Sequence, residues 1–331
     1  MKVSVVIPAY NASQSIGEAV RQSLSQAKGI LELEVIVVDD GSTDNTARVA
    51  ESAGATVIRQ QNAGPASARN RGWKSASGEI ICFTDSDCIP AKDWVVNLLK
   101  GFTDWRVGAM AGSYDIANGS SWLARWVHQE IMERHTRMPG LIQAFGSYNV
   151  AIPKYVLDAT GGFDPSYRRA SAEDNDLSYR ILKRGWRIAF RPQAKVAHYH
   201  PERLWRYLKE QYRHGFWRAK LYRNHHDMLS GDDYTRLKDR LEPILVLGIM
   251  GFAGLALLGM TVLTVPLVGL VLAYLCLQLY WPLRWWYKED KLEALPYAGV
   301  TFLRGFARTI GLGLGMLRFG LKGSGPSTGS P

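Results

Sequence analysis

Cysteine is scarce in this chain, which has three cysteines in 331 residues. Cys82, Cys88 and Cys276 match no zinc-ligand spacing, and so few thiols exclude a disulfide-stapled scaffold. This usage is typical of a protein that faces a reducing, cytosolic compartment. The sequence also contains no recognisable nucleic-acid-binding motif. Its formal net charge of +10 therefore favours contact with anionic lipid head groups over binding of nucleic acid.

Asp, Glu, Lys, Arg and His are absent between Pro243 and Leu283. A transmembrane helix needs about 20 apolar residues, so this segment is long enough for two spans. Residues 264–266 form a plausible turn between them, and Trp281 and Arg284 begin an aromatic and positively charged flank. The pattern predicts a membrane hairpin over 243–283 with both ends in the cytosol. The alternative is a buried helical hairpin in a soluble protein.

A third apolar segment, 297–319, is interrupted by Arg304, Arg308 and Arg318. It is either a third span with buried arginines or an amphipathic helix in the membrane interface. Residues 226–242 are expected to link the two parts of the chain, and 323–331 to form a disordered tail. The sequence thus predicts a multi-pass protein of the cytoplasmic membrane. The part of the chain before residue 226 is expected to lie on the cytosolic face of that membrane.

The N-terminal part of the chain alternates β-branched apolar runs with segments that can form helices. The runs span residues 3–8, 33–38, 55–59 and 79–83. This alternation predicts an α/β fold, in which a mostly parallel, Rossmann-like sheet is covered on both faces. Ser42 or Thr43 is expected to cap the helix that follows the second run. Ligands of such sheets bind beyond the carboxyl ends of the strands.

An acidic pair, Asp85 and Asp87, follows the fourth apolar run. Residues two apart on a strand point the same way, so both carboxylates are expected to face one site. Oxygen ligands of this kind suit Mg²⁺ or Mn²⁺, which complete their coordination with water and substrate phosphates. The pair therefore predicts a cation site and a nucleotide-diphosphate donor. The alternative is a turn or helix cap before Pro90.

The ordered motifs of the chain resemble those of the inverting glycosyltransferases of family 2, which have a nucleotide-sugar-binding GT-A fold. The matching segments are residues 3–11, 38–44, 62–64 with 68–72, 85–87, and 173–177 with Arg180. Five motifs in the family's order are far more specific than any one alone. The resemblance covers about the first two-thirds of the chain.

The resemblance implies a catalytic role for Asp174, as the base that takes the proton of the acceptor hydroxyl, and recognition of the nucleobase by Asp40. Capping of the next helix is the alternative for Asp40, and stabilisation of a helix start is the alternative for Asp174. Glu173 and Asp176 are expected to support the base or to cap its helix. The predicted donor-binding residues are Pro8, Ala9, Tyr10, Asp40, Gly64, Arg69, Asp85 and Ser86. For Arg69 the choice is open between offsetting diphosphate charge and lying solvated on a helix face.

Further resemblances concern the metal and the acceptor. Some relatives use a histidine near His198 or His200 as a third metal ligand, so Asp85, Asp87 and one of these histidines are the predicted metal ligands. Gly146 and Ser147 lie in a segment that resembles the family's acceptor side, as does Arg213 further along. Processive synthases carry Gln-x-x-Arg-Trp at this place, whereas this chain has His214 and Gly215 after Gln211. This departure argues against processive polymerisation.

Together these features predict a GT-A domain over residues 1–225 that is tethered by C-terminal membrane helices. The predicted reaction moves one sugar, with inversion, from a UDP, GDP or dTDP donor to a lipid-linked or other membrane glycan acceptor in cell-surface polysaccharide synthesis. A tether favours such an acceptor because it confines enzyme and substrate to one surface. The alternatives are a processive membrane polysaccharide synthase and a catalytically inactive nucleotide-sugar sensor.

Overall fold

The computed structural model of the chain describes residues 2–27, 32–102, 104–169, 171–228, 232–233, 235, 237–289 and 291–320. These residues form two compact units. The N-terminal unit runs to His200 and includes Asp232 and Asp233, and the C-terminal unit comprises the rest from Pro201 onward. The predicted catalytic segment 1–225 thus includes a helix, residues 204–224, that belongs to the C-terminal unit. The predicted tail 323–331 lies outside the described residues.

The N-terminal unit alternates strands and helices along most of its length. In chain order these are β1 (Lys2–Ala9), α1 (Ile16–Leu24), β2 (Glu32–Asp39), α2 (Thr46–Ser52), β3 (Thr56–Arg59), α3 (Pro65–Ser75), β4 (Ile80–Thr84), β5 (Cys88–Pro90), α4 (Trp94–Leu99), β6 (Val107–Ile116), α5 (Trp122–His135), β7 (Leu141–Ile142), β8 (Asn149–Pro153), α6 (Lys154–Thr160), α7 (Glu173–Lys183) and β9 (Arg187–His198). The four predicted strands are β1 to β4, each within two residues of its predicted bounds.

In the described part of the unit, the strands form one mixed sheet in the order β3-β2-β1-β4-β8-β6-β9-β5, with β7 paired to β9. The pairs among β1, β2, β3 and β4 are parallel, as predicted. Strand β8 runs antiparallel to both β4 and β6, which introduces antiparallel pairs in the second half. The carboxyl ends of β1, β2 and β4 therefore lie along the same edge of the sheet.

Both faces of the sheet are buried, which explains why β1 reads as a continuous apolar run. Val5 and Ile7 face a core that includes Val20 of α1 and Trp94 of α4. Val6 faces the opposite core, formed with side chains of α3, α6 and α7. The predicted covering of both faces is confirmed.

The loops after β1 and β2 are joined by side-chain hydrogen bonds. Ser42 does not cap α2: its Oγ accepts from the backbone N–H of Asn11, at 2.9 Å. Thr43 is engaged with Asn11 Oδ1 through its own N–H, also at 2.9 Å. Helix α2 begins only at Thr46, whose N–H donates to Asp44 Oδ1 at 3.0 Å. The predicted cap was wrong because both hydroxyl residues are used to connect the two loops.

The C-terminal unit contains the helices α8 (Leu204–Asn224), α9 (Leu237–Leu257), α10 (Thr264–Glu289) and α11 (Tyr297–Gly320). Two helical stretches, Leu237–Leu257 and Thr261–Lys288, are long and apolar enough to cross a membrane. The chain reverses around Gly259, which has a φ of +94°, and not at the predicted 264–266. Pro266 is instead in the first turn of α10, where its missing N–H costs no helical hydrogen bond.

Helices α8 and α11 pack closely through glycines. A Cβ placed on Gly215 would lie 2.0 Å from the carbonyl oxygen of Arg308, and one on Gly311 would lie 2.1 Å from that of Tyr212. Two of the three arginines that interrupt 297–319 face the same interface. Arg304 Nη1 lies 3.3 Å from the hydroxyl of Tyr207, and Arg308 Nε donates to Gln211 Oε1 at 2.7 Å.

Candidate active site

The segment after β4 is a tight turn, not an extension of the strand. Cys88 N–H donates to the carbonyl of Asp85 at 3.1 Å, so Asp85, Ser86 and Asp87 turn the chain into β5. The expectation that Asp85 and Asp87 share one face of a strand was wrong for this reason. The two carboxylates instead take different partners, which are Arg69 for Asp85 and His198 for Asp87.

Arg69 of α3 bridges two of the motifs. Its Nη2 lies 2.7 Å from Asp85 Oδ1, and its Nη1 lies 2.9 Å from Glu173 Oε1 at the start of α7. The guanidinium is fully buried and lies over the ring of Phe163. Burial opposes its charge, but the Asp85 and Glu173 carboxylates outweigh that effect and keep the pKa of Arg69 above its ordinary value. Arg69 is therefore not the solvated helix arginine that the sequence left open.

The arginine bridge brings the acidic start of α7 next to the turn after β4. Asp174 is half-buried there. Its Oδ1 accepts from Asn175 N–H at 2.8 Å, and its Oδ2 from Ser147 N–H at 3.4 Å. Burial, together with the neighbouring Glu173 carboxylate, raises the pKa of Asp174 to about 7. A carboxylate with a raised pKa can accept a proton more readily near neutral pH than an ordinary aspartate.

The two acidic neighbours of Asp174 have structural partners. Besides Arg69, Glu173 accepts from the backbone N–H of Ser171 at 2.7 Å and of Ala172 at 3.1 Å. Asp176 forms an ion pair with Arg180 one turn along α7, at 2.8 Å. These contacts fit the expected supporting roles of Glu173 and Asp176.

Asp40 organises the loop between β3 and α3. Its Oδ1 accepts from Gln60 Nε2 at 2.7 Å and from Ala63 N–H at 2.8 Å, and its Oδ2 accepts from Gly64 N–H at 2.9 Å. Gly64 has a φ of +93°, and a Cβ there would lie 2.7 Å from the carbonyl of Arg168. The carboxylate does not cap α2, which excludes the alternative role. One of its roughly four lone-pair sites is left for a ligand.

The other predicted donor residues differ in what they expose. Pro8 and Ala9 are buried at the end of β1, whereas Tyr10 is about half exposed, at 49%. Ala9 contributes its carbonyl, which accepts from Asp40 N–H at 2.8 Å. Ser86 is half-buried at the middle of the turn after β4. Tyr10 is therefore the residue among these that offers an aromatic face to a base or sugar.

Asp87 and His198 form the best candidate for a metal site. His198 Nε2 lies 3.7 Å from Asp87 Oδ2, because β5 and β9 pair with Cys88 opposite His198. This separation is wider than a hydrogen bond and shorter than twice the ligand distance of about 2.1 Å, so both atoms can reach one cation between them. Cys88 Sγ also lies nearby, but burial and the neighbouring Asp87 and Asp85 carboxylates raise the pKa of this thiol well above its ordinary value, which disfavours the thiolate that binds metals. A carboxylate and an imidazole fit Mn²⁺ better than Mg²⁺, which prefers oxygen ligands.

His200 does not face Asp87. Its Nδ1 lies 3.3 Å from His198 Nδ1, and its Nε2 lies 3.4 Å from Nδ1 of His128 on α5. Burial, together with the neighbouring His198 and His128, lowers the pKa of His200 to about 3, so this ring is neutral. Of the two candidate histidines, His198 is thus the one placed to bind a metal beside Asp87.

The predicted acceptor-side residues are divided between the units. Ser147 is buried, and its N–H faces Asp174 as described above. Gly146 precedes it, and a Cβ there would collide with the ring of Tyr148. Arg213 lies half-buried on α8 of the C-terminal unit.

Two residues near the site were missed from the sequence. His128 lies on α5, where no site residue was predicted. Asp232 lies in the predicted linker, yet its Oδ2 accepts from the Tyr179 hydroxyl at 3.0 Å and from Asn175 Nδ2 at 3.2 Å. A lone histidine or aspartate carries no spacing signal, so only the folded chain shows these positions.

A cavity of about 660 Å³ lies at the other end of the sheet. It is lined by Gly78 and Ile80 at the start of β4 and by Trp105 and Tyr155, and contains no predicted site residue. Because ligands of open α/β sheets bind at the carboxyl ends of the strands, the cluster around Arg69 is the better candidate for the active site.

The sheet order, the turn after β4 and the acidic start of α7 are those of a GT-A fold. A solved structure with the same fold is the mannosyltransferase PcManGT from Pyrobaculum calidifontis, in complex with GDP-Man and Mn²⁺. It superimposes with a TM-score of 0.63 at 23% identity, and the match covers 91% of this chain and 87% of that one. The predicted fold class is confirmed.

The model of glycosyl transferase family 2 matches residues 4–172, and the chain belongs to this family. A probable glycosyltransferase of Bacillus subtilis, YdaM, is 29% identical over 218 residues, which are 61% of this chain and 51% of that protein. A pre-mycofactocin glycosyltransferase of Mycobacterium tuberculosis is 30% identical over 213 residues, covering 61% and 43%. A poly-beta-1,6-N-acetyl-D-glucosamine synthase of Staphylococcus aureus is 26% identical over 257 residues, covering 74% and 60%. The chain thus spans about half the length of the relatives it matches.

Proposed function

We propose that this glycosyltransferase moves one sugar, with inversion, from a nucleotide-diphosphate donor to a lipid-linked acceptor in cell-surface glycan synthesis. The observation that carries the proposal is the bridge formed by Arg69. It joins Asp85, in the turn proposed to face the leaving diphosphate, to Glu173, which precedes the proposed base Asp174. An in-line displacement needs acidic groups at both ends of the reacting axis, and the bridge holds such groups at one site.

Asp174 is the proposed base. The acceptor hydroxyl attacks the anomeric carbon of the donor sugar while its proton passes to Asp174, and the bond to the nucleoside diphosphate breaks on the opposite face. The hydrogen bonds from Ser147 and Asn175 hold the carboxylate in place for this transfer. Its raised pKa makes it a stronger base than an ordinary aspartate.

Asp85, Asp87 and His198 are the proposed holders of the cation. A bound Mn²⁺ or Mg²⁺ supplies Lewis-acid stabilisation of the departing diphosphate. The relative from Pyrobaculum calidifontis was solved with GDP-Man and Mn²⁺, which supports a similar requirement here. Arg69 donates to Oδ1 of Asp85, so Oδ2 is the oxygen of this aspartate that is proposed to bind the cation.

The nucleotide is proposed to lie between Tyr10 and the Asp40 loop. Tyr10 offers an exposed ring for stacking, and Asp40 retains one acceptor position for an N–H of uracil, guanine or thymine. The donor is thus of the UDP, GDP or dTDP type.

The acceptor is proposed to be lipid-linked because the C-terminal unit carries two helices that are apolar enough to cross a membrane. Anchoring in the cytoplasmic membrane raises the effective concentration of an acceptor in the same bilayer. A processive synthase is disfavoured because Gly215 stands at the tryptophan position of Gln-x-x-Arg-Trp, where close packing on α11 leaves no room for a side chain.

A donor panel tests the proposal. Full-length enzyme in detergent is incubated with labelled UDP-, GDP- or dTDP-sugars, membrane lipid extract, and Mn²⁺ or Mg²⁺. We expect one donor class to label a lipid with a single sugar whose anomeric configuration is inverted. Transfer without divalent cation, retention of configuration or a growing polymer would each contradict a stated part of the proposal, and binding of donor without transfer would support a sensor.

A further inference from the structure

Three histidines continue from Asp87 into the interior of the N-terminal unit. His198 Nε2 is directed to Asp87, His198 Nδ1 lies 3.3 Å from His200 Nδ1, and His200 Nε2 lies 3.4 Å from His128 Nδ1. The three rings come from β9, from the residues just after it and from α5. They therefore form one continuous chain of imidazoles, which begins at the proposed metal ligand His198 and ends at His128.

The order of nitrogen atoms in this chain determines where the protons lie. A neutral imidazole has one N–H donor and one acceptor nitrogen. If His198 uses Nε2 as a ligand, its proton must be on Nδ1, and the atom facing that proton is Nδ1 of His200. His200 then carries its own proton on Nε2, which faces Nδ1 of His128. Every contact in the chain pairs one donor with one acceptor in this arrangement.

The surroundings hold the rings in this arrangement. Tyr114 packs against both His198 and His200, with ring centroids 5.4 and 5.7 Å apart. The backbone of His200 is fixed by Asn118, whose Oδ1 accepts from His200 N–H at 3.0 Å and whose Nδ2 donates to the His200 carbonyl at 2.8 Å. His200 is almost fully buried. The ring of His200 is thus kept at a fixed distance from His198.

We propose that His200 and His128 are positioning residues of the metal site, which accept hydrogen bonds from His198 and His200, respectively, and so keep the Nε2 lone pair of His198 directed to the cation. The proposal rests on the metal ligation in the proposed function and goes beyond it, because neither residue touches the metal. Mutation of the residue that accepts a hydrogen bond from a metal-binding histidine typically lowers the metal affinity 10–100-fold.

The test measures the binding of Mn²⁺ to the protein in the absence of donor and acceptor. The electron paramagnetic resonance signal of free aqueous Mn²⁺ gives the Kd of the full-length protein in detergent. His200→Leu removes the acceptor, whereas the amide oxygen of His200→Asn approximates the position of Nδ1 and can still accept from His198. His135→Leu is the matched control, since His135 is equally buried and also packs on Tyr114 but bonds Ser113 Oγ, at 2.7 Å, outside the chain.

We expect His200→Leu to raise the Kd for Mn²⁺ about 10–100-fold, His200→Asn to restore most of the affinity, and His135→Leu to remain within about twofold of wild type. Circular dichroism of the metal-free variants checks that each is folded. An unchanged Kd in folded His200→Leu overturns the proposal, as does an equal loss in His135→Leu. If the wild-type protein itself binds no Mn²⁺, the metal assignment of the proposed function fails instead.

A second readout does not depend on the measured metal affinity. Long-range ¹H–¹⁵N spectra of the protein loaded with diamagnetic Mg²⁺ report the tautomer of each imidazole. We expect protonated Nδ1 in His198 and protonated Nε2 in His200. The opposite tautomer of His200 overturns the proposed direction of the chain, whatever the metal affinity.

Discussion

Nη1 of Arg69 lies 2.9 Å from Oε1 of Glu173, the residue that precedes the proposed base. Both side chains are almost completely buried. A buried ion pair is strongly destabilised when only one partner is removed, because the remaining charge is left uncompensated. The pair therefore ties the position of α7 to that of α3, and through Asp85 to the turn after β4.

The first prediction concerns the pH dependence of catalysis. Asp174 must be ionised to accept a proton, so kcat/KM should rise with pH through the pKa of about 7. Glu173→Gln removes a negative neighbour that raises this pKa. We expect the acid limb of the profile to move to lower pH by about one unit, the lower end of the effect of a nearby charge.

The pH profile is measured at subsaturating donor for wild type and Glu173→Gln. Thermal unfolding of both proteins checks that loss of the charge opposite Arg69 has not unfolded the variant. A limb that stays in place, or moves to higher pH, would show that Asp174 is not the titrating base.

The second prediction concerns Asp174 itself. Asp174→Asn keeps the shape of the side chain but removes the proton acceptor, so kcat should fall by about 10²–10⁴. The dissociation constant of the donor should stay within about threefold of wild type, because the base makes no contact with the nucleotide in the proposed reaction. Isothermal titration calorimetry and initial rates measure the two quantities.

Asp176→Asn is the control in the same first turn of α7. It weakens the ion pair with Arg180, so it should lower the melting temperature while kcat stays within about tenfold. A larger loss of turnover in Asp176→Asn than in Asp174→Asn would reverse the assignment.

The third prediction concerns metal-dependent donor binding. Asp87→Ala leaves His198 and Asp85 without the carboxylate that completes the proposed cation site, so stimulation of donor binding by Mn²⁺ should be lost. Asp93→Ala is the matched control, since Asp93 is exposed at the start of α4 and its side chain makes no capping hydrogen bond. Titration of a donor with and without Mn²⁺ separates the two variants. Normal stimulation in Asp87→Ala would contradict the metal assignment.

The fourth prediction concerns the packing of α8 against α11. Gly215→Ala places a methyl group 2.0 Å from the carbonyl oxygen of Arg308, whereas Gly313→Ala places it in open space. We expect Gly215→Ala to destabilise the C-terminal unit by about 1–3 kcal/mol through overpacking. Gly313→Ala should be neutral or stabilising by up to about 1 kcal/mol. Thermal unfolding in detergent compares the pair, and equal stability of the two variants would contradict the close approach.

The fifth prediction concerns the membrane. Burial of two apolar helices in a bilayer is insensitive to ionic strength, so the protein should remain in membranes after high salt and alkaline carbonate and dissolve in detergent. Release by salt alone would indicate attachment through the basic residues only. Partition into the aqueous phase without detergent would remove the support for a lipid-linked acceptor.

Much of the N-terminal sheet could be predicted because its signals are local. β-Branched runs of four to eight residues predict buried strands, and β1 to β4 lie where those runs are. The turn after β4 was the alternative to a continued strand, and Asp-Ser-Asp contains no glycine or proline that would have decided between the two. The reversal between α9 and α10 lies around Gly259 and not at the predicted residues 264–266. Pro266 is typical of a turn, but it fits equally well in the first turn of a helix.

The sequence by itself determined which chemistry is available. The order of the family 2 motifs, the acidic residues at 85, 87 and 174, and the uncharged segment 243–283 can all be read without coordinates. The tertiary structure decided which of these groups face one another. Arg69 and Glu173 are 104 positions apart, and their pairing depends on how α3 and α7 pack on one face of the sheet. The choice of His198 over His200 likewise depends on the pairing of β5 with β9, because side-chain direction at a strand end is set by its neighbours and not by local spacing.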